Sequence, residues 1–455
     1  MENKTIYYFK EISKIPRESY NEKEIANYIV NFAKERNLDY IIDEHNNVIV
    51  KKYISGKEPV ILQAHIDMVC EKEEDKVFNF KTDSIEVIEK DGYLMANGTT
   101  LGADNGVGVA QILNLLDTSN FSIEAIFTTD EEVNMTGVQN IDVSSLKGKV
   151  MINLDGFEKD TILLGCASFT DTYIHMNYTF TNDTGNFYKI ILTGFEGGHS
   201  GSMIDKHLGN SNVLLAKLLL EINDIKVSKF TGGNKLNVIP TYTEAIIKTN
   251  LDINSYVTKF INENSLNYPG LVINVEAVTG SNRILTLEDS KLFLDSVANF
   301  KNGVINKNNR GEVTTSENLG IVNLSDNILG IGLRSSIEEE RLVILDYFND
   351  YCNKYNYKLD IIGYQPGFTT SEDSLLVKDL IKAYKEFNNS EPNLKSVHIG
   401  LEVAFFKKYI KDLEAVVISS DIIDPHAPSE RVSIESIKRC DEWLQRYLIN
   451  KQWKY

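Results

Sequence analysis

The chain has 455 residues, too many for one ordinary hydrophobic core, so two domains are expected. Hydrophobic residues make up 42% and charged residues 25%, a globular balance that excludes a disordered chain. Lys and Arg number 47 against 65 Asp and Glu, and the resulting net charge of −18 argues against nucleic acid or an anionic membrane as a partner.

No stretch approaches the roughly 18 uninterrupted apolar residues of a membrane span. The opening MENKTIYYFKEIS lacks the apolar core of a signal peptide. Cys70, Cys166, Cys352 and Cys440 lie far apart and form no CxxC pair. They read as buried small hydrophobes, not as a disulfide framework or a thiolate metal site. A cytoplasmic location is the expectation.

In chain order, residues 4–14 and 21–35 read as two amphipathic helices, with Ser19 and Asn21 as N-cap candidates for the second. YIIDEHNNVIVKKYI reads as a hairpin, and PVILQAHID as a buried strand that breaks abruptly into polar residues. IEVIEKDGYLMA is a second hairpin, turned at Asp91–Gly92. TTLGADNGVGVAQILNLLD is a Gly-rich loop feeding a helix, and IEAIFTTDEE and KVMINLDG are again apolar strands that run into acids. This alternation predicts an α/β fold, a mixed sheet flanked by helices. In such sheets ligands bind beyond the carboxyl ends of the strands.

From about residue 170 the pattern changes to longer alternating strands, among them TDTYIHMNYTF and TEAIIKTNLDI, with helices at NVLLAKLLLEI and LEDSKLFLDSVANF. An α+β domain is expected over 170–367, ending at Pro366–Gly367. Residues 368–455 return to α/β character, like residues 1–169.

Five places carry chemistry. His65 and Asp67 lie two apart, so a strand would put them on one face, where a carboxylate can orient an imidazole. Asp104 sits among glycines in GADNG, as a helix cap or as a ligand that other groups approach closely. Asp130, Glu131 and Glu132 are adjacent acids after an apolar run, suited to a cation or to a helix start. Asp155 follows INL, and His426 stands between Pro425 and Pro428 in a stiff loop. Singly, each is undecided. Together they form the inventory of a two-metal hydrolase: a bridging carboxylate, about two further ligands per ion, and a base. Imidazole and carboxylate without thiolate favour zinc, with manganese or cobalt as alternatives.

The segments LQAHIDMVCEK, GTTLGADNGVGVA, TTDEEVNMTG, INLDG, GFEGGHSG, LNVIP, TSENLG, HIGLE and PHAPSERV follow one another across about residues 60 to 432. In wording and order they resemble the aminoacyl-histidine dipeptidases, also called peptidase D or cytosol non-specific dipeptidases. That family lies within the aminoacylase, carboxypeptidase G and succinyl-diaminopimelate desuccinylase superfamily. The resemblance implies a metallo-dipeptidase that hydrolyses Xaa-His and other unblocked dipeptides through a two-metal-activated water. A tripeptide aminopeptidase or an N-acyl amino-acid deacylase is the alternative. It implies that His65 and Asp155 hold one ion, Glu132 and His426 the other, and that Asp104 bridges them. Asp67 would orient His65, and Glu131 would be the general base. The middle segment would be an inserted lid domain in a homodimer. Its His199 would stabilise the oxyanion, Asn237 and Arg334 would contact the substrate, and Glu402 would meet the substrate's amino group. The family usually carries Gly where this chain has Ala64, and Cys-Gly where it has Val403 and Ala404. The second departure touches the pocket wall.

Overall fold

The computed structural model describes residues 3–452. The chain divides into two compact units. One comprises the chain up to Cys166, Phe368–Ser396 and the chain from Leu401; the other comprises Ala167–Gly367 and Val397–Gly400. The second unit thus starts three residues before the boundary expected at 170, and it takes in a short segment that the sequence had left with the first.

The first unit is built on a mixed sheet. Its strands run Asp39–Ile42, Val48–Lys52, Ile123–Thr128, Val60–His65, Val150–Asn153, Glu414–Val417, Thr161–Cys166 and Phe368–Thr369 in spatial order. Val60–His65 is parallel to both Ile123–Thr128 and Val150–Asn153, and Glu414–Val417 is parallel to Val150–Asn153. Two of these central strands, VILQAH and IEAIFT, are buried at every position. This is why they read as continuous apolar runs: both faces are covered. The parallel order sends the chain out at the same edge each time. His65 ends one strand, Asp130–Glu132 follow a second, and Asp155 follows a third.

The early helices are Lys4–Ile12 and Lys23–Glu35. The second begins later than expected and has no side-chain cap. Ser19, a cap candidate from its position, instead donates to the Asp67 carboxylate at 2.7 Å. The closing helix Ile434–Gln452 packs on Leu375–Lys385 through Trp443, whose indole N–H donates to the Leu380 carbonyl at 2.9 Å and whose ring meets Tyr384 edge-on at 4.8 Å.

The second unit is an antiparallel sheet in the order Val272–Ile284, Thr181–Thr193, Thr243–Lys248, Lys226–Gly232, Val313–Asn323, Ile328–Ser335, Ser168–His175 and Lys358–Gln365. Ser168–His175 alternates buried and half-buried residues, as a sheet with one packed face requires. Two helices absent from the sequence reading, Ile253–Asn264 and Glu338–Tyr355, join the two that were expected.

Trp443 is 2% exposed and fills the space between Leu375–Lys385 and the closing helix. Trp443→Ala leaves a cavity and an unpaired carbonyl. It should lower stability by about 3–5 kcal/mol, read as a fall in the urea midpoint with the slope unchanged.

Candidate metal centre

The first unit brings five separated side chains into one cluster at the strand ends. His65 Nε2 lies 3.1 Å from Asp104 Oδ1 and 3.5 Å from Asp155 Oδ1. His426 Nε2 lies 2.9 Å from Asp104 Oδ2 and 3.1 Å from Glu132 Oε2. Asp104 therefore turns one oxygen to each histidine. Ligand atoms of His65, Asp104 and Asp155 lie within 4.8 Å of one another, as do those of Asp104, Glu132 and His426, and of His65, Glu131 and Glu132.

Each position has a local cause. His65 is the last residue of its strand, and the alternation turns Asp67 back beside it, with Oδ1 3.3 Å from Nδ1. That proximity leaves Nε2 to face the cluster. Asp67 is itself fixed by Ser19 and by the backbone N–H groups of Glu131 (3.1 Å) and Glu132 (3.2 Å). The residue beside one histidine thus also anchors the acidic loop. Asp104 is not a cap: Gly102 takes that position, and Asp104 itself has non-helical dihedrals. Asp130 stands apart from the cluster's ligand groups and accepts from the Thr136 hydroxyl. His426 adopts φ +64, a conformation uncommon outside glycine, on the loop held by its two prolines.

The electrostatics suit a cation. Burial and then Asp155 hold the Glu131 carboxyl well above its ordinary range. Burial and Asp104 push Glu132 up to about 7. Burial opposes a charge on His65, but Asp155, Asp104 and Asp67 outweigh it and raise the ring's pKa well above the usual value. Hydrogen bonds to Asp104 and Glu132 raise His426 to about 10. Buried carboxylates that resist ionising and imidazoles that hold protons are what a cation would replace. The buried Glu132 Oε1 also has no hydrogen-bond partner. The donor set fits divalent metal.

Glu402, fully buried, belongs to the same unit. Its Oε2 accepts from Gln63 (2.7 Å) and Thr128 (2.6 Å), while Oε1 has no hydrogen-bond partner. Burial lifts its pKa to about 8. Asn153 in turn donates to Gln63. Ser19 was picked out from the sequence only as a helix cap, and Gln63 and Thr128 were not picked out. Nothing marks them there except that Gln63 and Thr128 are polar residues inside apolar strands.

His199, Asn237 and Arg334 lie on the second unit. His199 Nδ1 accepts from the backbone N–H groups of Gly201 (3.2 Å) and Ser202 (3.3 Å). The neutral ring then carries its hydrogen on Nε2, which faces Arg334 Nη2 at 3.4 Å. Burial and then Arg334 lower the His199 pKa to about 4, so the ring stays neutral. Both atoms are then donors, so neither satisfies the other. The Asn237 carbonyl accepts from Ser200 N–H at 2.8 Å, and its residue is exposed. His398 on the same unit accepts from or donates to Ser316 Oγ at 2.7 Å.

Residues 61–450 match peptidase family M20/M25/M40. The cytosol non-specific dipeptidase of Escherichia coli (strain K12) is 32% identical over 453 residues, covering 94% of this chain and 93% of that protein. The crystal structure of aminoacylhistidine dipeptidase from Vibrio alginolyticus superposes with a TM-score of 0.86 at 28% identity, covering 98% of this chain and 96% of that one. A tripeptidase from Staphylococcus aureus shares the fold, with a TM-score of 0.56 at 15% identity and coverage of 98% and 97%. The chain belongs to peptidase family M20/M25/M40, and it is a hydrolase whose His, Asp and Glu cluster could hold metal.

In the chelator-treated protein, protonated His426 stabilises the fold. Its pKa is raised from about 6.5, so this contribution is complete below that pH and is lost as pH climbs through about 10. The thermal midpoint of the metal-stripped protein should fall between about pH 7 and 10. In His426→Gln that part of the profile should flatten.

Proposed function

We propose that this chain is a metal-dependent dipeptidase acting on unblocked dipeptides, Xaa-His among them. The observation that carries the reading is the division of Asp104 between His65 and His426, with Asp155 on one side and Glu132 on the other. His65 and Asp155 would hold one divalent ion, Glu132 and His426 a second, and Asp104 would bridge them. Zinc suits these donors best, with manganese or cobalt as alternatives. When bound, such ions supply Lewis acidity and bring the pKa of a water near neutrality.

The chain's own groups do the rest. Glu131 takes a proton from the attacking water and returns it to the leaving amine. Its raised pKa suits a carboxylate that must hold a proton between two steps. Asp67 keeps the His65 ring turned so that Nε2 points at Asp104. Glu402 is assigned to the substrate's ammonium group, through its unpaired oxygen. His199 and Arg334 are assigned to the oxyanion and the substrate carboxylate: an imidazole N–H and a guanidinium fork are the matching donors. Asn237 is assigned to the same substrate contacts. The second unit is then the lid domain. Two relatives named as dipeptidases, matching nearly the whole chain, support the peptide substrate. A cytoplasmic location and a homodimer complete the reading, the former in keeping with the name of the Escherichia coli relative.

Dialysis against a chelator should abolish hydrolysis of an Xaa-His dipeptide, and added zinc or manganese should restore it. Activity that survives metal removal overturns the reading. Glu131→Gln should keep its metal, by elemental analysis, yet lose about 10²–10⁴-fold in kcat. N-acetylated amino acids should be cleaved more slowly than free dipeptides. The reverse order would make the chain a deacylase.

A further inference from the structure

Two buried charged side chains lie behind the cluster. Arg17 is 2% exposed. Its Nη1 donates to the carbonyls of Ile66 (3.2 Å) and Asp67 (3.0 Å), and its Nη2 donates to the carbonyl of Gly102. Glu430 is also 2% exposed. One of its oxygens accepts from the N–H groups of Leu101 (2.8 Å) and Gly102 (2.9 Å), the other from those of Ala103 (2.7 Å) and Asp104 (3.2 Å). The Glu430 N–H itself donates to the Ala427 carbonyl at 2.9 Å, one residue from His426.

These bonds join three loops. Arg17 ties the His65–Asp67 strand end to the Asp104 loop. Glu430 ties the His426 loop to the same place. The glycines of GADNG are shaped to this arrangement. A Cβ on Gly102 would stand 2.3 Å from Arg17 Nη2, and one on Gly106 would stand 2.6 Å from it. Gly102 also adopts φ +68. The pair of glycines that reads from sequence as room for a ligand is room for a guanidinium.

We propose that Arg17 and Glu430 are positioning residues of the metal centre, a buried cation and a buried carboxylate that set the backbone leading into Asp104. This rests on the reading of His65, Asp104, Glu132, Asp155 and His426 as ligands. A ligand shared between two ions must present each oxygen at a fixed distance, so a small drift of the Asp104 backbone weakens both sites together. Only a planar fork reaches three carbonyls on two loops. Lysine keeps the charge and loses that geometry.

The test uses the full chain, stripped of metal and titrated with zinc against a chromophoric chelator, with thermal unfolding of the stripped protein in parallel. The variants are Arg17→Lys and Glu430→Gln. Asp441→Asn is the control: Asp441 is a buried carboxylate bonded to Thr5, Asn3 and Gln111. Arg17→Lys and Glu430→Gln should bind zinc about 10–100-fold more weakly. Their kcat/KM should fall and recover in part with excess zinc, and their unfolding midpoints should drop no further than the control's. Wild-type zinc affinity in either folded variant overturns the proposal, and so does an equal loss of affinity in Asp441→Asn. If Arg17→Lys does not fold, Glu430→Gln decides by the same readings. A wild-type chain that binds no zinc would instead overturn the ligand reading itself.

Discussion

Like-charged groups gathered away from water repel one another, and that repulsion governs the first unit. Asp67, Asp104, Glu131, Glu132 and Asp155 converge on one edge of a sheet. Each is compensated differently. Asp67 receives a hydroxyl and two backbone N–H groups. Asp104 receives an imidazole on each oxygen, which holds its pKa below the ordinary range despite burial. Glu131, Glu132 and Asp155 are less fully compensated, and their pKa values rise accordingly. A fold would discard such a cluster unless a cation were to occupy it, because unpaired buried charge is among the costliest features a protein can carry.

The sheet makes the convergence possible. Parallel neighbours end at the same edge, so residues far apart in sequence leave the core side by side. His65 and Thr128 face each other across two adjacent strands, and the acidic loop starts immediately after Thr128. Asp155 leaves the next parallel strand. His426 and Glu430 arrive on a loop beyond Glu414–Val417, the strand beside that one. The strand interiors are not passive either. Gln63, Thr128 and Asn153 form a polar chain inside an apolar sheet and leave Glu402 one unpaired oxygen.

The second unit follows a different rule. Its sheet is antiparallel, and at its candidate His199 the backbone sets the side chain's tautomer. At His199 two backbone donors claim Nδ1, so the hydrogen falls on Nε2. No reading of GGHSG alone could assign that hydrogen, because the donors come from the folded turn after the histidine.

By itself the amino-acid sequence determined the fold class, the polar endings of three apolar strands and the inventory of two histidines and their carboxylates. These are local properties: hydropathy period, turn residues and side-chain chemistry. The wording and order of the motifs added the family. Only the tertiary structure decided which nitrogen of His65 faces the acids, that Asp104 divides its oxygens between two histidines, and that Asp130 stands apart from them. It also turned Ser19 from a helix cap into a partner of Asp67, and filled the glycine-lined space of GADNG with Arg17. Hydrogen bonds between residues 39 to 322 positions apart produce most of these outcomes. Such bonds depend on where strands end in space, which no local pattern encodes.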